Sequence, residues 1–219
     1  GKKIIDLSLG QSAESPPEYV IEATIKALRD GNNGYTVPNG ILECREAVSR
    51  KIQKLYNAKV SPERIFIMPG GKPTMHYAIS FFGEPGTEIV YPDPGFPIYE
   101  SMINYTGAKP VPYNLTDENN FNINVEKILS LINDKTRLFI INNPHNPTGS
   151  FAEKSVIDKL AAGLSKFPNL AILSDEIYGR LIFEKMLSRP KIIYGKTIHS
   201  NYQGQKLKLS KHFKEPIPT

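Results

Sequence analysis

Two stretches of the sequence combine polar side chains in a pattern that suits ligand chemistry. NNPHNPTG (142–149) continues the apolar run RLFIIN, and SDEIYGR (174–180) continues NLAILS. Asn146, Asp175 and Tyr178 supply an amide, a carboxylate and a phenol, which can together hydrogen-bond a polar aromatic ring. A helix of about fifteen residues between two parallel strands would bring both stretches to one edge of a sheet. We therefore expect these three side chains to share a ligand site.

Two further stretches offer an anion site and an aromatic surface. In MPGGKPTMHYAI (68–79), Gly71 and Lys72 precede a predicted helix, whose first backbone N–H groups favour an anion. Pro73 suits that first turn, because a residue there needs no N–H. In YPDPGFPIYE (91–100), Phe96 could stack on an aromatic ligand, and Tyr99 is a second candidate.

Each of these residues also has a plainer explanation. Asp175 could cap a helix N-terminus, with the following acid in the first turn. Gly71 and Lys72 could form a simple loop-to-helix junction, and Phe96 could be a core aromatic. Tyr178 and Asn146 could be a hydrogen-bonded pair within their loops.

Other familiar motifs do not fit the sequence. No G-x-G-x-x-G, complete phosphate-binding P-loop or G-x-S-x-G nucleophile elbow is present, and the four histidines lack metal-ligand spacing. We therefore predict no metal site. The single cysteine, Cys44, excludes an internal disulfide framework.

Composition places the chain among ordinary globular proteins. Its 219 residues are 40% hydrophobic and 22% charged, which suffices for a core. No run approaches the roughly 18–20 apolar residues of a membrane helix, and GKKIIDLSLG lacks a signal-peptide pattern. We expect a soluble, cytoplasmic protein that does not bind membranes.

The periodicity of apolar residues predicts alternating helices and strands. Helices are predicted over 16–31, 41–56, 72–82 and 151–167, and strands over 65–68, 88–91, 137–142 and 169–174. This alternation predicts an α/β fold with a mostly parallel central sheet and helices on both faces.

Taken together, the quoted stretches resemble class I/II aminotransferases, the aspartate-aminotransferase-like enzymes that depend on pyridoxal 5'-phosphate (fold type I). NNPHNPTG and SDEIYGR resemble two signatures of that family. Four other segments occur in the family's order, namely those around Gly10, Tyr35, Gly71 and Phe96. The resemblance extends over about residues 4–184 and implies the large, cofactor-binding domain of that fold.

The resemblance implies a role for each residue that surrounds the cofactor. Asp175 would face the ring nitrogen and stabilise its protonated form. Tyr178 and Asn146 would hydrogen-bond the ring oxygen, and Gly71 and Lys72 would hold the phosphate.

Four other roles follow from the same resemblance. Phe96 would stack on the cofactor ring, and Tyr35 would reach the cofactor phosphate of a partner subunit in a homodimer. Gly10 would bind the substrate carboxylate through its backbone N–H. Lys211, in LSKHF 36 positions after Asp175, would be the Schiff-base lysine and the base that moves the substrate proton.

The end of the chain departs from the family. Residues 185–219 contain eight Lys and Arg residues and one acid, whereas residues 1–184 contain 19 basic and 21 acidic residues. The family's arginines for the phosphate and the substrate carboxylate, and its C-terminal small domain, have no counterpart before Thr219. We predict an N-terminal arm (1–40), a partial cofactor-binding domain (41–184) and an atypical basic tail (185–219), and hence a truncated enzyme of weak or no activity.

The sequence leaves several functions open. The first is transfer of an amino group between an amino acid and a 2-oxo acid. The alternatives are a non-catalytic relic or partner-dependent subunit that binds the cofactor, and a pyridoxal-phosphate-dependent lyase of the same fold. Nucleic-acid binding by the basic tail ranks below these, because the tail shows no repeated basic and aromatic pattern, and we expect no nucleic-acid partner.

Overall fold

The chain divides into two compact units, Gly1–Pro38 and Asn39–Thr219. The computed structural model describes Gly10 and residues 15–179. In the first unit, helix α1 (Glu18–Arg29) begins after Pro17, whose fixed φ suits a helix start. The helix predicted in this segment is confirmed.

The described part of the second unit, residues 39–179, is built on four parallel strands. These are β1 (Glu88–Asp93), β2 (Lys109–Asn114), β3 (Thr136–Asn142) and β4 (Ala171–Asp175). They lie side by side in the order β2-β1-β3-β4. The predicted α/β class and parallel sheet are confirmed.

The described part of the second unit also contains five α-helices. They are α2 (Leu42–Tyr56), α3 (Gly71–Phe82), α4 (Ile98–Thr106), α5 (Val125–Leu131) and α6 (Lys154–Leu164). Leu138 and Ile140 of β3 pack with α3 and α4, whereas Phe139 and Ile141 pack with α5 and α6. Because neighbouring strand residues face opposite sides, β3 is buried between two helical layers. In the part of the chain that the structure describes, no helix is long and apolar enough to cross a membrane.

Four local predictions differ from the structure. Residues 65–68 form no strand: the Ile67 N–H bonds to the Asn39 carbonyl, and no described strand runs alongside this segment. Strand β2 was not predicted, because Pro110 and Pro112 argue against a strand, yet an edge strand tolerates proline. Helices α4 and α5, of nine and seven residues, were not predicted either.

Glu88 ties three segments together where β1 begins. Glu88 is only 9% exposed. Its carboxylate accepts hydrogen bonds from Asn133 Nδ2 at 2.8 Å and from Lys109 Nζ at 3.0 Å. The hydrogen bond from Asn133, followed by that from Lys109, lowers the pKa of Glu88. The folded state therefore favours the charged carboxylate, and this stabilisation is lost as the pH falls through the lowered pKa.

We predict that Glu88→Gln lowers the free energy of unfolding by about 1–2 kcal/mol at pH 7, because a charged acceptor becomes neutral. The difference between wild type and variant should shrink as the pH falls through the lowered pKa of Glu88, where the wild-type carboxylate also loses its charge. Urea unfolding at several pH values measures this. Glu118→Gln, at an exposed position, is the control; a difference that stays constant with pH would contradict the prediction.

Gly95 makes a close backbone approach in the short connection from β1 to α4. A Cβ atom there would lie 3.3 Å from the Pro92 carbonyl carbon. It would lie closer to the Pro92 carbonyl oxygen than van der Waals contact allows. Both partners of this overlap belong to the backbone, so no side chain can rotate away to relieve it. The position therefore requires glycine.

We predict that Gly95→Ala costs about 1–3 kcal/mol of stability, since the loop must shift to relieve the overlap. Gly34→Ala is the matched control, because a Cβ at Gly34 would meet nothing within 4 Å. Thermal unfolding of the two variants tests this. Equal melting temperatures would show that the loop accommodates the methyl group.

Candidate functional site

A cavity of about 330 Å³ opens where β3 and β4 end and α3 begins. Its walls come from the start of α3, the loop before α4, the loop after β3 and the turn after β4. They are formed by Gly71, Lys72, Thr74, Met75, Phe96, Asn142, Asn146, Leu173, Ser174, Asp175, Glu176, Ile177 and Tyr178. The cavity thus lies at the carboxyl ends of the parallel strands, the usual ligand position in an open α/β sheet.

The pairing of β3 with β4 aligns the two polar strand ends. Asn142 and Asp175 are partners in the register. Asn142 Nδ2 donates to the Asp175 carbonyl at 3.0 Å, and Asn142 Oδ1 accepts the backbone N–H of Asn146 at 2.7 Å. The buried Asn142 side chain therefore connects the loop that carries Asn146 to the strand end that carries Asp175.

Tyr99, which does not line the cavity, orients the Asp175 carboxylate. The Tyr99 side chain is fully buried, and its hydroxyl donates to Asp175 Oδ2 at 2.6 Å. Burial, and then this bond to a carboxylate, raises the pKa of Tyr99 well above its ordinary value, so that the phenol remains a donor. The other oxygen, Oδ1, accepts only a long bond of 3.3 Å from the Ile177 N–H among the described residues.

The stacking role suggested for Tyr99 is wrong, because this ring is buried and does not line the cavity. Tyr99 lies in the first turn of α4 and Phe96 in the loop just before it, and the Tyr99 N–H donates to the Phe96 carbonyl at 3.0 Å. The centroids of the two rings are 6.1 Å apart, with planes at 82°. Phe96 lines the cavity itself.

The start of α3 forms another wall. Gly70 precedes the helix with φ +96°, and Gly71, Lys72 and Thr74 follow in its first turn. The first N–H groups of a helix have no partner within it, and the helix dipole makes this end attractive to an anion. Pro73 lies within this turn, as predicted.

The residues that follow β4 form a turn, which backbone and side-chain hydrogen bonds stabilise. The Gly179 N–H donates to the Glu176 carbonyl at 2.9 Å, and residues 177–179 form a turn. Asp175 accordingly does not cap a helix within the described residues. Glu176 accepts hydrogen bonds from Ser174 Oγ and from the Tyr56 hydroxyl, each at 2.8 Å.

His145 stabilises the loop after β3. Its residue is 5% exposed, and Nδ1 lies 2.8 Å from Thr148 Oγ1. Burial lowers the pKa of His145, with the Pro94 backbone acting in the opposite direction. This role of His145 was not predicted, because a lone histidine carries no spacing signal.

The structure brings six of the predicted site residues to one cavity: Gly71, Lys72, Phe96, Asn146, Asp175 and Tyr178. Gly10 and Tyr35 lie in the first unit, and both are exposed. Lys211 lies outside the described residues. The roles of all nine residues stay predictions.

Comparison with known proteins gives a consistent family. The family model "Aminotransferase class I and II" matches residues 2–200. A probable aspartate aminotransferase of Methanocaldococcus jannaschii is 35% identical over 181 residues, which cover 83% of this chain and 48% of that protein. An asparagine–oxo-acid transaminase of Streptococcus mutans is 31% identical over 184 residues, which cover 84% of this chain and 47% of that protein.

A solved structure agrees with these relatives. The aromatic aminotransferase from Pyrococcus horikoshii superimposes with a TM-score of 0.79 at 31% identity, covering 84% of this chain and 49% of that one. The chain spans about half the length of the curated relatives it matches. Enzymes of this family depend on pyridoxal 5'-phosphate. The chain belongs to the class I and II aminotransferase family.

Proposed function

We propose that the cavity binds pyridoxal 5'-phosphate and that the chain forms part of an aminotransferase, which moves an amino group between an amino acid and a 2-oxo acid. One observation carries the proposal: six residues selected from four separate sequence stretches line the same cavity. The relatives act on different substrates by name, so the proposal extends to the class of substrate and no further.

The residues around the cavity fit this cofactor. It has a protonatable ring nitrogen, a ring oxygen, a flat aromatic face and a phosphate, and each needs a different partner. Asp175 supplies a carboxylate, Asn146 and Tyr178 supply polar groups for the oxygen, and Phe96 supplies an aromatic face. The N-terminus of α3 suits the phosphate.

When bound, the cofactor acts as an electron sink for the bond broken at the substrate's Cα atom. Asp175 strengthens that property, because its negative charge favours a proton on the ring nitrogen. The Tyr99 hydroxyl donates to Oδ2 and fixes the orientation of the carboxylate, which leaves Oδ1 to accept from the ring nitrogen. Asn146 and Tyr178 hold the ring oxygen, and Phe96 keeps one face of the ring dry.

Three further residues complete the proposal. Lys211 is proposed as the covalent anchor and the base that moves the substrate proton, and Gly10 as the donor to the substrate carboxylate. Tyr35 is proposed to reach the cofactor phosphate of a partner subunit in a homodimer. The predicted domain limits and cytoplasmic location stay predictions.

We predict that Asp175→Asn weakens binding of 4-deoxypyridoxine 5'-phosphate by about 10- to 100-fold, since a charge-assisted hydrogen bond contributes about 1.5–3 kcal/mol. This analogue carries a methyl group in place of the aldehyde, so it forms no covalent bond to a lysine and its affinity does not require Lys211. Isothermal calorimetry measures the effect, and Asp117→Asn, at an exposed position, is the control. Absence of binding by the wild-type chain would overturn the proposed function.

We predict that borohydride reduction in the presence of pyridoxal 5'-phosphate labels Lys211, and that Lys211→Arg abolishes the label. Peptide mapping by mass spectrometry identifies the modified residue. For the 219-residue chain alone we expect weak or no turnover, because it lacks the family's arginine for the substrate carboxylate. Labelling of another lysine would reject Lys211, while tight binding of the analogue would still support a cofactor-binding protein.

A further inference from the structure

Glu176 is a second acid in the cavity wall, and the proposed function does not use it. Both of its carboxylate oxygens accept a hydroxyl: Ser174 Oγ donates to Oε1 and the Tyr56 hydroxyl donates to Oε2, each at 2.8 Å. Ser174 belongs to β4, whereas Tyr56 is the last residue of α2, 120 positions earlier in the chain. Glu176 thus joins a distant helix to the strand end beside it.

This carboxylate is half-buried next to another carboxylate, that of Asp175. The described residues give Glu176 hydroxyl donors but no lysine or arginine within ion-pair distance, although Lys72 lines the same cavity. Burial raises the pKa of Glu176 and the charge of Asp175 adds to the rise, while the bonds from Ser174 and Tyr56 oppose it. Because a partly buried charged acid is costly without donors, the two hydroxyls stabilise the charged form of Glu176.

Three hydrogen bonds surround Asp175 in the chain. The Ser174 hydroxyl donates to the Glu176 carboxylate, so the two neighbours of Asp175 are bonded to each other. The Ile177 N–H donates to Asp175 Oδ1, and the Gly179 N–H donates to the Glu176 carbonyl. Tyr56 attaches this arrangement to α2. A shift of the Glu176 backbone would change the orientation of the adjacent Asp175, whose Oδ2 is held by Tyr99.

We propose that Glu176, held by Tyr56 and Ser174, is a positioning residue that sets the direction of the Asp175 carboxylate toward the cavity. The inference rests on the proposed function, in which Asp175 binds the cofactor's ring nitrogen. Glu176 itself makes no contact with the reacting atoms in this proposal. Its effect is on recognition of the ring and not of the phosphate.

Two variants and two probes test the proposal. Glu176→Gln removes the charge, and Tyr56→Phe removes one donor while leaving the acid in place. Each should weaken binding of 4-deoxypyridoxine 5'-phosphate by about 3- to 30-fold, the range typical of coupled neighbours. Binding of inorganic phosphate should change less than twofold. Tyr105→Phe and Glu63→Gln, both at exposed positions, are the matched controls and should leave both affinities unchanged.

A double-mutant cycle separates positioning from general loosening of the fold. In an Asp175→Asn background, Glu176→Gln should have little further effect on the analogue, because both variants remove the same interaction. Full additivity would overturn the proposal, as would equal weakening of both probes. If the wild-type chain binds no analogue, the proposed function fails as well; if Asp175→Asn weakens binding and the Glu176 and Tyr56 variants do not, only this inference fails.

The pH profile gives an independent readout. The Tyr56 hydrogen bond lowers the pKa of Glu176, so Tyr56→Phe should move the acid-side loss of analogue affinity to higher pH. The groups that face Glu176 in the described residues are Tyr56, Ser174 and Asp175, and all except Tyr56 are unchanged in this variant. A profile identical to that of the wild type would contradict a role for the Tyr56–Glu176 bond.

Discussion

The register between β3 and β4 is the constraint on which the candidate site depends. It sets Asn142 beside Asp175, so that the polar residues that follow the two strands leave the sheet at the same edge. A shift by one residue would turn the alternating side chains of β3 to the opposite helical layers. The register is therefore maintained by the whole apolar core, and the site inherits its geometry from that core.

Two neighbouring carboxylates, those of Asp175 and Glu176, lie at this edge, and both accept hydrogen bonds from neutral hydroxyl groups. Tyr99 bonds to Asp175, while Tyr56 and Ser174 bond to Glu176. A hydroxyl donor stabilises a carboxylate without cancelling its charge, whereas an adjacent lysine or arginine would cancel it. Among the described residues Asp175 accepts only from neutral donors, so its carboxylate can still accept from a ligand, as the proposed recognition of a ring nitrogen requires.

The sequence predicted the elements that are long, periodic or fully buried, and missed those that depend on their neighbours. Strand β3 and helix α6 have strong apolar patterns, and both were predicted. Strand β2 contains two prolines and exists because an edge position tolerates them. The apolar run at 65–68 has the composition of a strand but no described strand beside it, and it forms none.

For the site, residue types and their order along the chain were enough to select the cavity-lining groups and to indicate the family. Asn146, Asp175 and Tyr178 lie at or after the ends of strands, whereas Phe96 lies just before α4 and Gly71 begins α3. Local patterns therefore already indicate an edge where strands end and helices begin. The partners of the two acids could not be predicted, because Tyr99 and Tyr56 are 76 and 120 positions distant from them and neither has a local pattern that indicates a carboxylate. The sequence alone determined which chemical groups are present and which elements carry them. Only the tertiary structure decided which hydroxyl meets which carboxylate, because hydrogen bonds between distant segments depend on how the helices pack on the sheet.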